Sequence, residues 1–90
     1  MVVVRGVNLF PNAVDAVVRA LPEIAEYRVE VSKRGALTEV AVQIESADAA
    51  SAEKLAHALT SAFSLRIPVV RVAANSLPRF EMKARRWVTA

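Results

Sequence analysis

The sequence predicts an α+β domain of the ferredoxin-like split β-α-β-β-α-β kind: a four-stranded antiparallel sheet, two helices on one face, and a basic C-terminal tail. Three observations predict it. Tyr27, Val29 and Val31 alternate with Arg28, Glu30 and Ser32, and Val40, Val42 and Ile44 alternate with Glu39, Gln43 and Glu45. A period of two marks half-buried strands, and Lys33-Arg34-Gly35 supplies the turn of a hairpin. On either side of this hairpin lies an apolar stripe at helical spacing, and beyond each stripe a further β-branched run. Ninety residues hold one such core and leave no room for a second. Residues 1–90 therefore read as a single domain, with 77–90 as its tail.

Taken in order, Val2-Val3-Val4 leads as one strand into Arg5-Gly6-Val7-Asn8-Leu9-Phe10. Gly6 interrupts that strand and marks a bulge or a close approach of backbone. Pro11-Asn12 ends it. Asn12 is a good helix cap, and Asp15 suits the positive helix end. Val14, Val17, Val18 and Leu21 follow as one apolar stripe, closed by Pro22. After the hairpin, Ser46-Ala47-Asp48 offers caps for a second helix. Its buried side is Ala52, Leu55, Ala56, Leu59 and Phe63, opposite Glu53, Lys54, His57, Thr60 and Ser61. Leu65, Ile67 and Val69 to Val72 read as the last core strand, which Asn75-Ser76-Leu77-Pro78 breaks.

Composition excludes several function classes. There is no cysteine, and one histidine, His57, cannot build a metal site alone, so no metal is assigned. With two glycines there is no Gly-rich phosphate loop. No apolar run approaches the ~20 residues of a membrane span and no signal peptide appears, which makes the cytoplasm the default compartment. Hydrophobic residues reach 54%, more than one small sheet and two helices can hide. The expected surplus is an apolar patch on the helix-free sheet face, a dock for another domain or for a homodimer partner.

The charge is unevenly placed. Four bases and one acid lie from Arg79 onward, while the remaining bases and acids cancel, so the whole net charge of +3 belongs to the tail. A cationic arm on a neutral body points to an anionic target, phosphate above all. Lys83 is either an ammonium brought to a phosphate or carboxylate, or a solvated tail lysine. Arg79, Arg85 and Arg86 could meet phosphates. A nucleic-acid role is disfavoured, because the remaining surface is neutral and no aromatic recognition motif lies on a strand. Arg5-Gly6-Val7-Asn8 is a ligand-approach loop or a plain bulge. One histidine and no cysteine exclude the Ser-His-Asp and Cys-His catalytic sets, so the chain alone lacks an active site.

Two segments carry a family resemblance. Val4-Arg5-Gly6-Val7-Asn8-Leu9-Phe10-Pro11 resembles the "RGVN(V/I)FP" segment of phenylacetate–coenzyme A ligases. Leu77-Pro78-Arg79-Phe80-Glu81-Met82-Lys83-Ala84-Arg85-Arg86 resembles the family's "LPRSEGKARR" ending, with Phe80 in place of the usual Ser and Met82 in place of Gly. The resemblance implies the lid domain of an adenylate-forming enzyme, which swings over an N-terminal ATP- and acid-binding domain. Lys83 then matches the lysine of the adenylation step, and Arg5, Gly6, Val7 and Asn8 match the loop that faces coenzyme A. Arg79, Arg85 and Arg86 become the phosphate-proximal tail. ATP and coenzyme A are implied as substrates of the full enzyme, with Mg2+ on the N-terminal domain and a carboxylic acid, aryl by family name, as the third substrate. Met1 falls where the family leaves its hinge, so the expectation is a lid without the hinge or the adenylation domain, binding no cofactor and inactive alone. The alternative is a free-standing ferredoxin-like binding or dimerisation module.

Overall fold

A computed structural model describes residues 2–78 and 86–89 of the chain. The elements are β1 (Val2–Val4), β2 (Val7–Leu9), α1 (Pro11–Arg19), β3 (Ile24–Arg34), β4 (Leu37–Ser46), α2 (Ser51–Phe63), β5 (Val69–Val72) and β6 (Trp87–Thr89). The α+β class, with two helices and a four-stranded sheet, holds. The sheet is mixed rather than antiparallel, in the order β5-β4-β3-β6.

Local chemistry explains its centre. β3 and β4 pair antiparallel from Arg34↔Leu37 to Ile24↔Ser46, turning at Gly35, whose φ of 61° is one that a side chain resists. The inward set of the alternation becomes core: Tyr27, Val29, Val40, Val42 and Ile44 cluster with Val14 and Val18 of α1 and Leu55 and Leu59 of α2. β5 lies parallel to β4 because α2 carries the chain back across the sheet between them, a β-α-β crossover. Leu65 and Ile67 are buried ahead of β5 rather than within it.

The correction to the sheet arises at both ends of the chain. The expected first strand is two strands, β1 and β2, paired antiparallel in a sheet of their own. Arg5 and Gly6 form the turn between them with φ of 50° and 80°, the left-handed pair that suits the twist of a two-residue hairpin. Val4 and Leu9 still reach the core. The edge beside β3 is filled instead by β6, from the tail, running parallel with Val29 opposite Trp87.

The helix-free face differs from the apolar patch expected of it. Arg28 donates its Nε–H to Gln43 Oε1 at 2.8 Å across the strand pair, and Glu30 stands opposite Ala41. Among the described residues the exposed large apolar ones, Val3, Phe10, Leu37 and Val70, are spread over β1, the residue before α1, the start of β4, and β5. The surplus of apolar residues is absorbed by the terminal hairpin and the buried loop residues. Among the described residues no helix is long and apolar enough to cross a membrane.

Candidate functional site

The first candidate region is the turn of the β1–β2 hairpin. Arg5, Gly6 and Asn8 are exposed and Val7 is half-buried. A side chain added at Gly6 would meet nothing within 4 Å, so the glycine is required by its φ rather than by crowding. The bulge reading gives way to a tight turn. Arg5 Nη2 lies 3.7 Å from Glu39 Oε1, with both side chains well exposed, a contact worth little in water. Arg5 also lines an open cavity of about 410 Å³ together with Glu39, Ser64, Leu65, Arg66 and Pro68.

The second region is the tail. Lys83, Arg79 and Arg85, along with Phe80 and Met82, fall outside the described residues. Both flanks are described, and both are fixed by buried carboxylates. At one end, Glu45 is 2% exposed and accepts the backbone N–H groups of Asn75 and Leu77, each at 2.8 Å. Asn75 takes a left-handed φ of 62°, and Leu77 is buried. At the other end, Arg86 is 6% exposed and donates Nε–H to Glu26 Oε1 at 2.8 Å. Its Nη1 lies 3.8 Å from Asp15 Oδ1, and its guanidinium sits 4.9 Å from the centroid of the Tyr27 ring.

Arg86 therefore stands apart from the exposed tail cation expected of it. In this structure its charge is committed to acids inside the protein. Burial alone would weaken its hold on the proton; the Glu26 hydrogen bond and the Glu26, Tyr27 and Asp15 charges outweigh this and raise its pKa. Tyr27 donates its hydroxyl to Asp15 Oδ1 at 2.8 Å. Burial first, then that bond and the Asp15 charge, push the tyrosine well above its ordinary 10.0. Asp15 is accordingly a buried acceptor rather than a helix-end charge, and the helix instead begins at Pro11 with Phe10 as its unassisted cap.

Sequence reasoning set Asp15 at the helix end and Glu45 among the outward strand residues, and passed over Glu26; all three are buried. The available signal was an acid beside the Val14/Val18 stripe, and acids at the ends of strands whose middles alternate cleanly. An acid at such a place is buried only with a partner; Asp15 finds one 12 residues away in Tyr27, and the others lie 30 residues or more away in Asn75, Leu77 and Arg86. The remaining charged groups among the described residues are exposed or half-buried. His57 lies 4.0 Å from Glu53, both exposed, and Lys54 bridges Asp48 and Glu23 at the start of α2. No group of three His, Cys, Asp or Glu among the described residues could hold a metal ion.

β4 separates the Arg5 turn from the Leu77 flank of the tail. Glu39, beside Arg5, and Glu45, beside Leu77, are six residues apart on one strand. At ~3.3 Å per residue this is roughly 20 Å.

Residues 6–89 match the family model described as AMP-binding enzyme C-terminal domain. The chain is 28% identical over 95 residues to phenylacetate-coenzyme A ligase of Escherichia coli K12, covering 93% of the chain and 22% of that protein. The Thermus thermophilus ligase of the same name is 39% identical over 46 residues, half of the chain and 10% of its own length. The chain thus spans less than a quarter of these relatives. Among solved structures, 2-hydroxyisobutyryl-CoA ligase in complex with 2-HIB-AMP and CoA superposes with a TM-score of 0.84 at 27% identity, over 99% of this chain and 21% of that one. A domain of phenylacetate-coenzyme A ligase from Bacteroides vulgatus gives 0.79 at 19% identity, over 99% and 91%, a likeness of fold.

Proposed function

Because the chain belongs to the family of AMP-binding enzyme C-terminal domains, we propose that it works as the mobile C-terminal domain of an ATP-dependent, AMP-forming acid–CoA ligase. The observation that carries this reading is that the Arg5 turn and the described flanks of the tail, Leu77 and Arg86, lie toward opposite ends of the central hairpin. A domain that serves two half-reactions by rotating needs two working ends on one body. Further support comes from 2-hydroxyisobutyryl-CoA ligase, at 27% identity, which is known in a postadenylation state and in a thioesterification state.

In the first half-reaction a carboxylate oxygen attacks the α-phosphorus of ATP and pyrophosphate leaves. The Lys83 ammonium, set between carboxylate and α-phosphate, offsets the repulsion of two anions and holds them in line. In the second, the sulfur of coenzyme A attacks the acyl carbon, AMP leaves and the thiol proton is released. The Arg5–Asn8 turn faces the pantetheine arm there, and the open space around Gly6 lets a thin chain pass. Arg79 and Arg85 meet phosphates, while Arg86 anchors their segment. The acid pocket, for an aryl acid of the phenylacetate type, and the Mg2+ that accompanies ATP are assigned to an N-terminal adenylation domain.

The test is Lys83→Ala in the full-length protein. Acid-dependent exchange of pyrophosphate into ATP should fall roughly 10²–10³-fold, with thioester formation from preformed adenylate far less affected. Equal losses in both half-reactions would remove the role. A bulky residue at Gly6 should do the reverse, harming the thiol step.

A further inference from the structure

The register of the central hairpin pairs Glu26 with Glu45. Two buried carboxylates facing each other across a strand pair are unfavourable on two counts, like charge and lost hydration. Both are nonetheless kept, and each is compensated from the C-terminal part of the chain: Glu45 by the N–H groups of Asn75 and Leu77, Glu26 by Arg86, with the N–H of Tyr27 adding 3.1 Å to Glu26 Oε1. Accepting several donors while charged stabilises each acid in its buried place.

The consequence concerns geometry. On one side of the segment that bears Lys83 the chain is held at Leu77, on the other at Arg86, and the two residues that hold it face each other on paired strands. We infer that Glu26 and Glu45 form a clamp that fixes both ends of the segment bearing Lys83, so that they are positioning residues for adenylation. The inference rests on the reading of Lys83 given above. The clamp acts through the backbone at one end and through a guanidinium at the other, so the two ends can be loosened separately. Glu45→Gln leaves one carbonyl oxygen for two N–H groups and turns an amide toward one of them. Glu26→Gln weakens the charge-assisted bond to Arg86 without touching Leu77.

The experiment uses the full-length protein with Glu45→Gln, Glu26→Gln and Lys83→Ala side by side. Each is measured in pyrophosphate exchange, in thioester formation from preformed adenylate, and by amide hydrogen exchange. For Glu45→Gln, exchange at Asn75 and Leu77 should quicken while that of residues 87–89 holds. Adenylation should fall roughly tenfold to a hundredfold, the scale of a small misplacement, with the thioester step within a fewfold of the parent. Glu26→Gln should give the same kinetic split with faster amide exchange at 87–89 instead. Should Glu45→Gln fail to fold, Glu45→Asp, which keeps the charge on a shorter stem, replaces it with the same readouts. Unchanged adenylation in both Glu variants beside a crippled Lys83→Ala overturns the clamp alone. Equal loss in both half-reactions reduces the pair to a structural role and also overturns it. A silent Lys83→Ala overturns the assignment of the lysine, and the positioning role with it.

Discussion

Arg5 and Arg86 lie in the two segments that could meet ligand, yet their surroundings differ in nearly every respect. The Arg5 side chain is 63% exposed, sits on a two-residue turn, and reaches Glu39 only at 3.7 Å. The Arg86 side chain is 7% exposed, touches Glu26 at 2.8 Å and Asp15 at 3.8 Å, and lies against the Tyr27 ring. Exposed, a guanidinium is a hydrated cation available to a passing anion. Buried among acids, it holds structure, and its removal strands the charges it neutralised. The hairpin end is therefore built to tolerate change, and the tail end is built to resist it.

The sharpest way to break that comparison is Arg86→Ala in the 90-residue chain. With Glu26 and Asp15 left buried, urea denaturation should show a loss of about 3 kcal/mol or more. A loss below that of Arg5→Ala would reverse the ranking. Tyr27→Phe comes next. It deprives buried Asp15 of one donor and should cost about 1–2 kcal/mol at neutral pH. It has a pH signature as well. Above pH 10 a tyrosine raised from its ordinary 10.0 keeps its proton when folded and loses it when unfolded. Its contribution is thus complete below pH 10 and declines as pH rises above that value. Stability measured from pH 9 upward should fall less steeply in Tyr27→Phe, and identical slopes would count against the Tyr27–Asp15 contact.

The hairpin end should give smaller numbers. Gly6→Ala places a side chain at a φ of 80°, with open space around it, so backbone strain alone should cost about 1 kcal/mol. Thermal melts of the pair would measure it, and a Gly6→Ala chain as stable as the parent would mean the turn relaxes. Arg5→Ala should change stability by less than about 0.5 kcal/mol. A larger effect would show the Glu39 contact to be stronger than its distance and exposure allow.

Much of the fold was legible wherever the signal was local. The alternation from Tyr27 to Ser32 and from Glu39 to Glu45 located β3 and β4, and the Val14/Val18 and Leu55/Leu59 stripes located α1 and α2. Short-range rules failed at the ends. Val2 to Leu9 has the composition of one strand, and only the positive φ of both Arg5 and Gly6 makes it a hairpin. Trp87–Thr89 is too short to announce a strand and becomes one by pairing with β3. Of the candidate residues, Arg5 to Asn8 could be located because glycine punctuates them. Arg79, Arg85 and Arg86 are alike in sequence, and Arg86 is marked out by contacts with Glu26, Asp15 and Tyr27, all of them about 60 residues or more earlier in the chain.

By itself the sequence determined the α+β class, the two helices, the central hairpin and the family, because these rest on periods and motifs carried by neighbouring residues. Only the tertiary structure decided which edge each outer strand takes, which arginine lies inside, and that Glu26 and Glu45 face each other. Those outcomes depend on pairings between distant residues, where burial makes a charge costly unless a partner from elsewhere in the chain arrives to meet it.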